Sequence, residues 1–147
     1  MGLWDWAVST YARAGVAPAC LALQDEHGQS VSYLLWAAWA QVADPRSLVR
    51  AADIARRWEA QALAPLRDLR RALKPGFPGV PDSAREALRE DVKAAELRAE
   101  RVLLDGLEAL GGRASGGDTL EALERASAAW GIPAPANALA ALAAALG

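Results

Sequence analysis

The stretch VSYLLWAAWAQV, residues 31–42, is apolar around nearly its whole circumference when it is drawn as a helix. Its apolar residues recur at the i, i+3, i+4, i+7 spacing of one helix face, and a second set fills the opposite face. The first set is Val31, Leu34, Leu35, Ala38, Trp39 and Val42, and the second is Tyr33, Trp36, Ala37 and Ala40. A helix that is apolar on every side is typically buried in the middle of a fold. We therefore expect this helix to be the core element on which the others pack.

Glycine residues mark the ends of two shorter helices that precede this core element. The first is predicted over residues 3–13, with Gly15 in a left-handed conformation as its cap. The second runs to about Glu26 and ends at Gly28, because glycine adopts the left-handed conformation without steric cost. Together with the central helix they predict a compact three-helix core over residues 1–43.

A long helical hairpin is predicted over residues 44–110. Its first arm starts after Asp44, which can cap the helix ahead of a first-turn proline, and continues to about Leu73. Pro65 should kink or split this arm, because proline removes one backbone hydrogen bond and crowds the preceding turn. The segment KPGFPGVPD, residues 74–82, holds three prolines and two glycines and is expected to form the bend.

The second arm and the C-terminal region also carry helical periodicity. Ser83 and Glu86 have the spacing of a capping box and are expected to open the second arm. The glycine-rich residues 111–117 predict a flexible linker. A helix capped by Asp118 should follow it, and an alanine- and leucine-rich helix should begin at Asn137.

The predicted fold class is therefore all-α, a helical bundle in a single domain over residues 1–147. It combines the compact N-terminal three-helix core, the long antiparallel helical hairpin and, over residues 111–147, the linker with a C-terminal helix pair. The composition agrees, because hydrophobic residues make up 53% of the chain while it contains 1 Phe and 2 Tyr. Such a core consists mainly of Leu, Ala and Trp, and Ala and Leu are strong helix formers.

Net charge and cysteine content restrict the classes of partner and compartment. The formal net charge is −2 and the isoelectric point is near 5.4, which argues against attraction to DNA. The single cysteine, Cys20, cannot form an internal disulfide or a multi-cysteine zinc site, which fits a reducing compartment. Because no secretory leader and no run of about 18 apolar residues is found, we expect a cytoplasmic protein that has no membrane partner.

Several blocks in a fixed order carry a family resemblance. They are LWDW at 3–6, YARAGV at 11–16, LALQDEHG at 21–28, LLW at 34–36 with Trp39, PLRDLRRALK at 65–74 and VKAAELRAER at 92–101. On these blocks, over about residues 4–110, the chain resembles a family of small uncharacterised bacterial proteins, the domain of unknown function DUF2390. The resemblance implies a bacterial protein but no particular activity.

The polar turn QDEH, residues 24–27, is the first candidate site because it holds the only histidine of the chain. Carboxylates beside an imidazole can act as a base or bind a metal, but sequence neighbours on a helix diverge around its axis. The simpler interpretation is a polar helix end at which His27 bonds the last carbonyl groups, with the tryptophans in the core. The alternative is a pocket for a small molecule or a partner. Its candidate contacts are Gln24, Asp25, His27, Trp36 and Trp39.

The first arm of the hairpin concentrates arginine. Residues 44–74 carry eight cations against four carboxylates, whereas residues 75–110 carry five against eight. These opposite balances predict that the two arms complement each other along their edges, as charged positions do in coiled coils. Exposed arginines can also bind an acidic protein or RNA, so this alternative stays open. The candidate contacts are Arg50, Arg57, Arg67 and Arg71.

The sequence shows no constellation for catalysis or cofactor binding. Cys20 has apolar neighbours and is expected to be an unreactive core thiol, and nucleophile and phosphate-loop motifs are absent. We therefore predict no catalytic, metal-binding or cofactor-binding residues. The favoured function is a non-enzymatic binding or adaptor protein that contacts a protein partner or another copy of itself. The alternatives are a helical protein or enzyme that binds a small molecule in a Trp-lined pocket and, more weakly, an RNA-associated factor that uses the arginine row.

Overall fold

A computed structural model describes residues 1–111 and 117–147 of the chain, so most of the predicted 111–117 linker lies outside the described residues. The described residues form helices and no strand, which confirms the all-α fold class. The helices are α1 (Leu3–Tyr11), α2 (Val16–His27), α3 (Val31–Ala40), α4 (Pro45–Trp58), α5 (Ala64–Ala72), α6 (Asp82–Glu108), α7 (Thr119–Trp130) and α8 (Ala136–Leu146). A π-helical turn, Glu59–Leu63, joins α4 to α5.

Helix α3 is the central element, as its sequence predicts. Every side chain from Tyr33 to Ala40 is buried, and α3 contacts α1, α2, α4, α6 and α7. Its start is capped by Ser30, whose hydroxyl accepts a hydrogen bond from the Tyr33 N–H at 3.3 Å. The Tyr33 hydroxyl donates to the Ala126 carbonyl at 2.8 Å and so links α3 to α7. Fully burying one large apolar side chain stabilises the fold by roughly 1.5–3 kcal/mol, so this helix supplies a major part of the core.

The two N-terminal helices differ in detail from the prediction. Helix α1 ends at Tyr11, and the left-handed Gly15, at φ 86°, directly precedes α2 instead of capping α1. The predicted end of α2 is correct, because Gly28 is left-handed at φ 63° and its N–H donates to the Leu23 carbonyl. Cys20 is 1% exposed on the core face of α2.

The first arm of the hairpin, α4 through α5, runs antiparallel to α6. The Trp58 indole N–H donates to the Ala99 carbonyl at 2.9 Å, about midway along the arms of the hairpin. Near its bend, the Arg85 guanidinium donates to the Leu73 carbonyl at 3.0 Å. Residues early in one arm therefore pair with residues late in the other, as the predicted hairpin requires.

Pro65 interrupts the first arm through the π-helical turn that precedes it. In this turn the Ala64 N–H donates to the Glu59 carbonyl five residues back, which places one extra residue in the turn. Pro65 then lies in the first turn of α5, so its missing N–H falls at the junction with the π-helical turn, where the hydrogen-bond register has already changed. The arm is therefore interrupted without a break in the chain of helical turns.

The predicted capping box at the start of α6 is wrong. The extended backbone of Pro81 makes it the N-cap, so α6 begins at Asp82, and no side chain caps this end. Ser83 is thus already inside the first turn, where its hydroxyl is not in the N-cap position that a capping box needs. The backbone N–H of Arg85 donates to the Pro81 carbonyl at 3.1 Å and so forms the first hydrogen bond of the helix.

The C-terminal helix pair packs on the rest of this chain. Asp118 caps α7 as predicted, accepting from the Glu121 N–H at 2.9 Å, and α7 packs on α3 and α4. Helix α8 packs on α2 and α7 and buries three leucines. They are Leu139, Leu142 and Leu146. The alanine- and leucine-rich tail therefore lies in a groove of its own chain.

A buried polar chain joins this C-terminal pair to the end of α2. The Ser127 hydroxyl contacts the Gln29 side-chain oxygen at 3.1 Å and accepts from the Ala134 N–H at 2.8 Å. The Gln29 amide group also donates to the Ile132 carbonyl at 3.1 Å. Gln29 is 3% exposed and Ser127 is 0% exposed, so these groups satisfy one another away from water.

Candidate binding groove

The side chains of the QDEH turn contact their sequence neighbours at the end of α2. The Gln24 amide lies 3.5 Å from an Asp25 carboxylate oxygen, and the His27 Nε2 lies 3.8 Å from a Glu26 carboxylate oxygen. Asp25 and Glu26 are exposed, and Gln24 and His27 are partly exposed. Within the parts of the chain that the structure describes, no group of three or more His, Cys, Asp or Glu side chains could hold a metal ion.

Trp36 and Trp39 lie in the core of α3. Trp36 is 0% exposed and Trp39 is 7% exposed, and the Trp36 ring stacks on Tyr33 at a centroid distance of 6.1 Å. Neither indole N–H meets a protein acceptor in residues 1–111 and 117–147. The two tryptophans therefore build the interior of the bundle, whereas Asp25 lies on its surface.

The four arginines predicted as contacts divide into two groups. Arg50, Arg57 and Arg71 are exposed, and Arg57 lies 3.7 Å from Asp53 in a pair whose side chains are 80% and 58% exposed. Arg67 is different, because its side chain is 18% exposed and meets carboxylates from both arms. The exposed group is available to a partner, and Arg67 belongs to a network within the hairpin.

This charge network crosses the hairpin beside the π-helical turn. The Arg67 guanidinium lies 2.8 Å from Glu59 on its own arm and 3.8 Å from Glu96 on α6. Glu96 also pairs with Arg70 at 2.6 Å, and its side chain is 13% exposed. The predicted complementarity of the two arms is thus found at Arg67, Arg70 and Glu96. The exposed Arg57 pairs within its own arm instead.

Two groups of this network have shifted pKa values. Burial raises the pKa of Glu100, and the neighbouring charge of Glu96 adds to this, while the attraction of Arg67 opposes it. Burial alone would lower the pKa of Arg67, but the hydrogen bond and charge of Glu59, together with the charges of Glu96 and Glu100, outweigh burial, so the pKa of Arg67 is raised. Arg67 therefore stays charged and satisfied inside the network.

An open groove of about 330 Å³ adjoins the same π-helical turn, between the first arm and α6. Its lining residues are Ile54, Arg57, Trp58, Gln61, Val102, Leu103 and Gly106. The Trp58 indole is held as a wall by its hydrogen bond to α6, and Val102 is 47% exposed. Arg57 and Gln61, both exposed, supply the polar groups of the lining. The groove therefore offers a mainly apolar surface with a cation at its rim.

Gly106 opens the floor of this groove toward solvent. Apart from the backbone of its own helix, no described atom lies within 4 Å of the position that a Cβ on Gly106 would take. Glycine inside a helix destabilises it by roughly 0.5–1 kcal/mol relative to alanine. An alanine would fit here sterically against the described residues, so their packing does not require the glycine.

Among the candidate contacts predicted from the sequence, Arg57 is the one that lines the groove. One local feature marks this part of α6, because Gly106 interrupts an otherwise strong helical pattern at a cost in stability relative to alanine. Ile54, Trp58 and Val102 carry no such mark, since the apolar pattern of each helix does not say which helix it will face. The network residues Arg67 and Glu96 lie in two of the blocks that carry the family resemblance, at 65–74 and 92–101.

The burial of Cys20 agrees with the sequence prediction of an unreactive thiol. Burial raises the pKa of the Cys20 thiol to about 11, so the thiol is protonated at neutral pH.

No helix in the described ranges combines the length and the apolar character needed to cross a bilayer.

A family model described as a protein of unknown function (DUF2390) matches residues 2–107, from α1 to the last turn of α6. No curated protein and no solved structure matches the chain.

Proposed function

Because the chain belongs to the DUF2390 family of proteins of unknown function, we propose from its own geometry that it is a non-enzymatic protein-binding or adaptor protein. The observation that carries this proposal is the open groove at the π-helical turn. Its walls come from two antiparallel helices, and its apolar floor is exposed along Val102 and Gly106. Exposed apolar surface rimmed by polar groups is typical of sites that bind proteins.

The lining residues are suited to a protein contact. Tryptophan and arginine are enriched among the residues that dominate binding energy, and the groove presents Trp58 and Arg57 together. The charge network on Glu96 ties the two arms together and favours a preformed groove. A preformed site loses less conformational entropy on binding than a flexible one.

The two alternative functions have less support. A small-molecule pocket beside the QDEH turn would need Trp36 and Trp39, which lie inside the bundle. An RNA site would need a continuous arginine row, but Arg67 is engaged by carboxylates. We place the adaptor in the bacterial cytoplasm because its single thiol is free and buried.

The proposal is tested by capture of the tagged full chain from its own cells, with two matched variants. Val102→Asp places a charge on the apolar floor of the groove. Leu88→Asp makes the same kind of change at a side chain of α6 that is 50% exposed and outside the groove. Both variants are first checked for an unchanged helical content and melting temperature.

We expect one stoichiometric protein that is retained by wild type and Leu88→Asp and lost by Val102→Asp. Equal retention by all three chains would exclude the groove as the contact. Absence of any stoichiometric protein, including a second copy of the chain by light scattering, would overturn the proposed function.

A further inference from the structure

Building on the proposed function, we infer that the groove binds an acidic amphipathic α-helix whose backbone passes closest at Gly106. The proposal names the kind of partner segment that the groove fits. The shape of the groove, the absence of a side chain at Gly106 and the charge of the groove each support this occupant.

The shape of the groove suits a helix. Its walls are two antiparallel helical segments, so the groove runs along their axes. Val102 and Gly106 are four residues apart on α6, and Ile54 and Trp58 are four apart on α4. Both helices that line the groove therefore contribute a residue once per helical turn, which matches the i, i+3, i+4, i+7 anchors of an amphipathic helix.

Gly106 indicates where the occupant comes nearest. The space above its α-carbon holds no other part of the described chain, and the residue weakens the helix in which it lies. A glycine that no contact with the described residues requires is explained if a partner backbone packs against α6 at this point. The occupant should then carry a small residue, Gly, Ala or Ser, opposite Gly106.

Charge selects an acidic occupant. Arg57 is the charged residue among the described lining residues, and its pair with Asp53 is long and exposed, so a partner carboxylate can compete for it. Arg50 on α4 and Arg98, one turn before Val102 on α6, are also exposed. The described lining thus holds a cation and no carboxylate, which favours an anionic side chain on the occupant.

The test uses a phage-displayed library of helices of about 15 residues, about four turns, selected against the full wild-type chain. The helices share a Leu and Ala face and vary at the flanking and central positions. We expect enrichment of Asp or Glu at the flanks and of Gly, Ala or Ser at one central position. The best peptide is then synthesised and its affinity measured for four variants of the chain.

The variant series separates binding from folding. Gly106→Ala should raise the melting temperature and yet lower the affinity for the peptide by about fivefold. Gly106→Leu should lower this affinity by more than about tenfold. Arg57→Glu should lower the affinity for the peptide about tenfold, and this decrease should be smaller in high salt. Leu88→Asp, outside the groove, should change nothing.

Several outcomes would overturn the inference. They are no enriched helix, enrichment of basic flanks, or equal binding by Gly106→Leu and wild type. If cellular capture still shows a partner that Val102→Asp loses, the proposed function stands and only the acidic helix is wrong. If neither experiment gives groove-dependent binding, both proposals fail.

Discussion

Replacing Glu96 with Gln should destabilise the hairpin, because this side chain joins the two arms. Glu96 meets Arg70 at 2.6 Å and Arg67 at 3.8 Å and is 13% exposed. Breaking a buried ion pair costs about 3–5 kcal/mol, and breaking an exposed one costs about 0–1 kcal/mol. The partly exposed arginines and the relief of repulsion on Glu100 place Glu96→Gln between these limits, at roughly 1–2 kcal/mol.

The assay is thermal unfolding followed by circular dichroism. Because about 1 kcal/mol shifts the melting temperature of a chain of this size by about 2–4 °C, we expect a drop of about 2–8 °C. Arg57→Gln and Arg71→Gln serve as controls on the exposed surface and should each shift it less. If either control destabilises the chain more than Glu96→Gln does, the reasoning about the network is refuted.

Three further predictions concern the core, the charge network of the hairpin and the tail. Cys20 should resist a thiol reagent in the native protein and react on unfolding, since burial raises its pKa to about 11; fast labelling of native protein would contradict its core position. Glu100→Gln should not change stability well below the ordinary pKa of 4.5, where Glu100 is neutral in both states. Burial raises the pKa of Glu100 in the folded state above its value in the unfolded state. As pH rises past 4.5, Glu100 therefore ionises more readily in the unfolded chain, and the wild-type protein loses stability. The variant has no such loss and should be more stable than wild type at pH 7. Denaturant titrations at both pH values measure this, and equal stability at pH 7 would show that Glu100 is well solvated. Deleting residues 132–147 should lower the melting temperature, because α8 buries three leucines against α2 and α7, and an unchanged value would show that this packing is dispensable.

Much of the helical framework could be predicted from local sequence. The buried run in α3, the left-handed Gly28, the Asp118 cap and the bend at 74–82 were all predicted correctly. Each depends on residues within one or two turns of one another, so periodicity, capping and turn chemistry are sufficient. The errors at Gly15 and at the Ser83 box are also local, and they arise because helix ends shift by a residue or two with the neighbouring backbone.

The groove and the network depend on which helix faces which. Arg70 and Glu96 lie 26 residues apart and Gln29 and Ser127 lie 98 apart, so no local pattern shows that they meet. The arginine count predicted complementary arms, but only the register of the hairpin decides that Arg67 and Arg70 are paired while Arg57 faces outward. The sequence alone determined the helices and their apolar faces through short-range physics. Tertiary packing decided how Ile54, Trp58 and Gly106 come together, because each helix could offer its apolar face to several neighbours until the π-helical turn and the bend fixed their alignment.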